Sequence, residues 1–289
     1  MKRVVAGTLA LVCAAAVGSA TGSAAQPERA AKGILSYAAC KKSAKQGTPF
    51  CFAGSRPVAF LRAYNRERLE YRVCLRGGGK PVCKRAKTTG LGRLSRVRFG
   101  KQSKGKYYLV WFANGRKVNR DRLIVHKRSV FVVGDSLGVG TEPFLPKKLK
   151  DWKVSQSVKV GRHGFEAISI LRNRGSLPGA IVMSIGGNDD PNNVNGFRSI
   201  VAKTMQIAGP TRCVVWPNHY ATKPVNGGNF DGYNRVLEEF EKKYRNFQIM
   251  NWAKIARAHP GWMAGDGIHV NATGYEARAA AIAETVRSC

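Results

Sequence analysis

Ser136, Asn188, Asp266 and His269 are the residues of this chain whose types and settings could together carry acyl transfer. Ser136 closes the stretch Gly134-Asp135-Ser136 after an apolar run, and Asp266 stands three residues before His269 in "GDGIH". A serine hydroxyl is a poor nucleophile until a base takes its proton, and an imidazole nitrogen within reach supplies that base. The second imidazole nitrogen then needs an acceptor that fixes the tautomer and stabilises the imidazolium. An aspartate three residues earlier on the same loop can bend back to provide it. The tetrahedral intermediate carries an oxyanion, which calls for preorganised donors. Three are at hand: the backbone N–H of Ser136 where it opens a helix, a backbone N–H in a glycine turn, and the side-chain amide of Asn188 in Gly186-Gly187-Asn188-Asp189.

These segments are far apart in sequence, so the elements between them must bring them together. From Ser129 the pattern alternates apolar strand runs, "SVFVVG", "WKVSQSVKV", "AIVMSIG", "RCVVWP" and "FQIMNW", with amphipathic stretches. Helices are expected around 138–150, 165–172, 196–208, 232–245 and 273–287, the last opened by a capping box from Thr273 to Glu276. Strands that are apolar nearly throughout and separated by helices imply a parallel sheet covered on both faces. Ligands of such a sheet collect beyond the carboxyl ends of its strands. That edge receives Ser136 after the first strand, Gly161-Arg162-His163-Gly164 after the second, Asn188 after the third, and Asp266 and His269 after the fifth strand and a short helix.

In chain order, "GDSL", a glycine turn, "GGND" and "DGIH" resemble the four blocks of the SGNH or GDSL hydrolase superfamily, over about residues 129–289. The resemblance implies a flavodoxin-like α/β/α sandwich with a five-stranded parallel sheet, and ester cleavage without a cofactor or metal. By position it makes Ser136 the nucleophile, His269 the base and Asp266 its orienting acid, with Gly161 and Asn188 completing the oxyanion hole. Gly161 is preferred to Gly164 for the second block because it directly ends the strand run.

Rival readings of the same residues are weaker. The glycines after Ser136 break the dinucleotide fingerprint, since Thr141, Glu142 and Pro143 follow Gly138-Val139-Gly140, and no Gly-Lys-Ser/Thr follows for a phosphate loop. Asp189 and Asp190 lack a nearby His or Cys cluster, so hydrogen bonding beside Asn188 suits them better than metal binding. His163, His219 and His259 lack an Asp three residues before them, and His163 reads as a pocket-wall residue. Trp216, Asn218 and His219 either line a substrate pocket or pack as a strand end. A glycan on the sequon at Asn271 would crowd His269 and is discounted.

The rest of the chain has another character. Lys2 and Arg3, an apolar stretch from Val4 to Val17 and small residues before Gln26 have the layout of a secretory leader over 1–25, and Cys13 would leave with it. No later segment approaches ~20 consecutive apolar residues, the length of a membrane span. Of the net charge of +32, residues 26–127 carry +22, from 26 Lys or Arg against 4 Asp or Glu, and residues 128–289 only +8. Short alternating runs such as "LEYRVCLR" and "YYLVWFA", separated by turn signals, predict a small antiparallel β-sandwich over 26–127, immunoglobulin-like in outline. The hydrolase-like domain would occupy 128–289, each domain having its own core. Six cysteines remain after the leader, an even number that suggests disulfides in an exported chain without fixing their partners. Nearest-neighbour pairing gives Cys40 with Cys51 and Cys74 with Cys83, leaving Cys213 to tie Cys289 to the main body; buried free thiols are the alternative.

These readings converge on a secreted serine esterase that removes short acyl groups, acetyl foremost, from an extracellular or cell-wall carbohydrate. The basic domain would dock an anionic polymer, with no specific nucleic-acid site. The rivals are a lipid ester hydrolase and a non-catalytic binder of anionic polymers.

Overall fold

The computed structural model describes residues 34–40, 49–64, 69–86, 92 and 94–289. The expected leader over 1–25, with Cys13, and the start of the basic segment lie outside the described residues.

Two sheets form the amino-terminal half. Strands β1 (Ile34–Ala39), β3 (Val58–Ala63) and β6 (Leu94–Arg98) make one, in the order β1-β3-β6. The other has the order β2-β8-β7-β4-β5, from β2 (Phe50–Phe52), β4 (Tyr71–Arg76), β5 (Val82–Ala86), β7 (Gly105–Ala113) and β8 (Arg116–His126). The period-two alternation turns Tyr71, Val73, Leu75, Leu109, Trp111 and Leu123 inward against Ala59, Leu61 and Val97 of the smaller sheet. Pairing departs from the antiparallel expectation at one edge, where β2 lies parallel to β8. A parallel pair needs a long connection rather than a hairpin, and here most of the half intervenes between the two strands.

Beyond β8 the alternation predicted from Ser129 is realised. β9 (Ser129–Gly134), β10 (Lys153–Val158), β11 (Ala180–Ser184), β12 (Cys213–Pro217) and β13 (Phe247–Met250) form an all-parallel sheet in the order β10-β9-β11-β12-β13. Numbered from its own first strand this is 2-1-3-4-5, the flavodoxin-like order. The expected first helix is two short ones, α1 (Ser136–Thr141) and α2 (Leu145–Lys148), divided at Pro143, which cannot supply a helical N–H. α3 (Gly164–Asn173), α4 (Val194–Ala208), α5 (Asp231–Lys243), α6 (Trp252–Ala258) and α7 (Ala272–Ser288) follow.

Successive strand residues feed opposite faces. Val130, Val132, Val182 and Val215 pack against Trp252 of α6 and Ala279, Ile282, Ala283 and Val286 of α7. Phe131, Val133, Met183 and Trp216 pack against Leu171, Val201, Val236 and Leu237 of α3, α4 and α5. Trp216 is fully buried, which decides its two readings in favour of a packed strand end. The expectation of a core for each domain needs one correction. Phe50 and Phe52 of β2 enter the core under α7, with Phe52 4.6 Å from the ring of Trp152, and His126 bonds the Thr211 carbonyl at 2.7 Å. The cysteines pair as 40–51, 74–83 and 213–289. Among the described residues no helix is long and apolar enough to cross a membrane.

Candidate active site

Three of the four blocks leave the sheet side by side. In the strand register Gly134 of β9 lies opposite Val158 of β10 and Ser184 of β11, so the segments that follow start from one level of three adjacent strands. Asp135 then caps α1, its Oδ1 accepting the Leu137 N–H at 3.0 Å, which leaves Ser136 as the first helical residue. Gly140 lets α1 lie against α7, because a Cβ there would fall 2.1 Å from the Tyr275 ring. Gly140 therefore serves the packing of α1 on α7, and Gly138 the close approach of α1 to Val158 of β10.

The fourth block arrives from the far edge of the sheet by way of α6. Its loop is tied down by backbone bonds from Ala264 N–H to the His269 carbonyl, 2.8 Å, and from Thr222 N–H to the Gly267 carbonyl, 2.8 Å. Within it, Asp266 Oδ1 accepts the Ile268 and His269 N–H groups at 2.9 and 3.0 Å, while Oδ2 meets His269 Nδ1 at 2.6 Å. His269 Nε2 lies 2.7 Å from Ser136 Oγ. Residues 133 positions apart in sequence thus share one hydrogen-bonded row. Bonding from the Ile268 N–H, and then from the His269 ring, draws the Asp266 carboxyl down to about 2. The Asp266 and His269 side chains keep 50 % and 36 % of their surface exposed, so the row opens to solvent.

The other predicted residues sit around this row. Gly161 takes φ +72°, a left-handed conformation that glycine adopts readily, at the turn after β10. The Gly164 N–H donates to the Asp189 carboxylate at 3.0 Å, which commits the alternative glycine elsewhere. Asn188 sends one amide hydrogen toward the Arg162 carbonyl at 3.4 Å, and its NH2 has a second. Asp189 also meets His163 Nδ1 at 3.0 Å, so this carboxylate ties the second block to the third. His163 stacks on Phe165, which is 66 % exposed. His219 bonds the Ile185 carbonyl through Nε2, and His259 stacks on Trp262. Asn218 spans Asn251 and the Ala253 N–H.

Two buried polar residues of this half were not singled out in the sequence. Asp135 and Arg278 are both buried, at 2 % and 2 % exposure. Burial pushes the Asp135 carboxyl up, opposed by the Arg278 charge and by N–H donors from Leu137, Gly187 and Gly138. Burial likewise pulls the Arg278 guanidinium down to about 10, opposed by Asp135. Arg278 also donates to Ser184 Oγ at 3.1 Å. The signal was present: Gly274, Arg278 and Ile282 recur every four residues along α7, which places an arginine in the buried stripe of an alanine-rich helix.

Strand order, the four blocks in sequence and the row from Ser136 to Asp266 now stand together. The carboxy-terminal half has the flavodoxin-like α/β/α architecture that the four-block resemblance implied. No protein-family model and no curated protein matches the sequence. Among solved structures this half is similar to the C-terminal catalytic domain of Streptococcus pneumoniae peptidoglycan O-acetyltransferase A, at 19 % identity over 56 % of this chain and 92 % of that one, TM-score 0.47. It is also similar to a lipolytic protein of the G-D-S-L family from Veillonella parvula, at 14 % identity over 54 % and 96 %, TM-score 0.45. A psychrotrophic esterase from Pseudoalteromonas sp. matches at 12 % identity over 56 % and 97 %, TM-score 0.44. At such identities the chemistry open to this half is decided by its own atoms.

Proposed function

We propose that this chain is a secreted serine esterase that removes short acyl groups, acetyl foremost, from an acidic extracellular or cell-wall carbohydrate. The observation that carries the reading is the row Ser136 Oγ, His269 Nε2 at 2.7 Å, and His269 Nδ1 to Asp266 Oδ2 at 2.6 Å. Ser136 Oγ attacks the acyl carbonyl while His269 takes its proton, and Asp266 stabilises the imidazolium that results. The oxyanion is met by the Ser136 N–H, the Gly161 N–H and the Asn188 amide. Collapse expels the alcohol, to which His269 returns the proton. A water activated by the same imidazole then attacks the acyl-serine, releasing the carboxylic acid and restoring Ser136.

One feature supports a large alcohol. The mouth of the site is open, with Phe165 and Val160 each 66 % exposed on the second block, where a sugar ring could rest. Export is supported by three disulfides.

The test is turnover of p-nitrophenyl acetate by the wild type and by Ser136→Ala. Loss of about 10³-fold or more in kcat is expected, the magnitude of removing a triad member. Equal rates would defeat the esterase reading.

A further inference from the structure

The outer face of the larger β-sheet is unusual in both charge and shape. Down the middle, β7 presents Tyr108, Val110 and Phe112 outward, while its alternate residues Leu109 and Trp111 fill the core. The register sets Arg72 of β4 opposite Phe112, and Arg76 opposite Tyr108. On the other side Arg122 of β8 lies opposite Tyr108, Arg120 opposite Val110, and Lys117 opposite Phe112. The Cys74–Cys83 disulfide closes the floor beside Val110, since Cys74 pairs with Val110 in the register. Arg76, Tyr108, Val110, Phe112, Lys117 and Arg120 together line a groove of about 320 Å³.

An apolar stripe therefore runs between two rows of cations. Adjacent strands are ~4.8 Å apart, so the two rows stand on the order of 10 Å from each other, the width of one extended polymer strand. Among the described residues none of these five cations is in an ion pair with a carboxylate. Three of the four guanidiniums lie over aromatic rings instead. Arg120 Cζ lies 3.6 Å from the Tyr108 ring centroid, and Arg72 and Arg76 lie 5.1 and 5.9 Å from that of Phe112. A ring beneath a guanidinium fixes its plane and leaves the N–H fork for a bidentate anion.

We infer that this face is a binding site for an acidic polysaccharide, pyranose rings carrying carboxylates. Charge complementarity supplies the anions' partners, and the part-exposed Tyr108 and Phe112, on either side of the buried Val110, offer apolar ring edges for the C–H faces of the sugars. Phosphate polymers without rings would leave those edges uncovered. Single-stranded nucleic acid needs bare aromatic faces for its bases, and here the guanidiniums stack on them. The inference goes beyond the esterase reading and does not depend on Ser136.

Binding of polygalacturonate to the full chain is measured by calorimetry at low and moderate salt, with dextran and oligo-dT as comparison probes. The groove variant carries Arg72→Gln, Arg76→Gln, Arg120→Gln and Arg122→Gln, all at exposed positions. The control removes as much charge elsewhere, at the exposed Lys150, Lys203, Lys242 and Lys254, each to Gln. The groove variant is expected to bind at least about tenfold more weakly through loss of charge-assisted contacts. The control should change affinity by less than about twofold, because distant surface charge is screened. An unchanged Tm shows that the groove variant folds, and unchanged p-nitrophenyl acetate turnover separates this site from the esterase. The proposal is overturned by equal weakening in both variants, by undiminished binding in the groove variant, by no binding of the wild type, or by oligo-dT binding more tightly than polygalacturonate.

Discussion

Asp266 holds His269 by its side chain while its other oxygen is held by two backbone N–H groups. That double anchoring makes it an orienting residue rather than a titrating one. With its carboxyl at about 2, Asp266 is charged across the working range, so kcat/KM against pH should show no inflection near the ordinary carboxylate value of about 4. An inflection there that disappears in Asp266→Asn would contradict this. Asp266→Asn itself should lower kcat by up to about 10⁴-fold, because an amide can hold the imidazole in the wrong tautomer. At this scale the row of Ser136, His269 and Asp266 was legible because each has a type-specific chemistry and stands in a short signature. Asp135 and Arg278 were not singled out, since their meaning comes from burial beside each other, which a linear motif does not state.

Helix α7 shows how element ends depend on neighbours. The sequence suggests a capping box from Thr273 to Glu276, but the structure corrects it: Asn271 is the cap, its Oδ1 accepting the Gly274 N–H at 3.0 Å, and Glu276 is drawn away to Lys148 at 2.6 Å. Two polar residues two positions apart can each cap, and the tie of the Asn271 N–H to the Trp262 carbonyl at 2.8 Å selects the first. Asn271→Ala should therefore cost about 1 kcal/mol in urea unfolding and Thr273→Ala only a few tenths. The reverse order would restore the capping box. Lower on the same helix, Arg278→Ala removes the donor to Ser184 Oγ and the charge that opposes the desolvation of Asp135, and should cost about 1–3 kcal/mol. A loss within about 0.5 kcal/mol, the range of surface substitutions, would show that the pair is not coupled.

Phe52 packs against Trp152 and His126 bonds the Thr211 carbonyl, so a histidine that titrates in the contact between the halves, together with His219 in the second half, should shape how the molecule responds to acid. His219 keeps some residue surface, but its Nδ1 has none, and burial pulls the ring down to about 4; burial also lowers His126. A depressed histidine binds fewer protons folded than unfolded, so its stabilisation is full above the unfolded value of about 6.5 and is lost as pH falls toward about 4. Chemical unfolding should show stability falling between those values by up to about 1.4 kcal/mol per pH unit from this group, and His219→Gln should flatten the slope. A variant with the wild-type slope would move the effect elsewhere. Taken as a whole, the sequence by itself determined the alternation that makes a doubly covered parallel sheet, the four chemical blocks and the cationic bias of the first half, because periodicity, residue chemistry and net charge are local properties. Only the tertiary structure decided which glycine stays uncommitted after β10, how Phe50 and Phe52 join the second core, where the arginines stack beside β7, and that Arg278 is buried with its guanidinium on Ser184 Oγ. Each of these depends on a distance between segments, and distance in space is set by packing against partners that sequence separation does not encode.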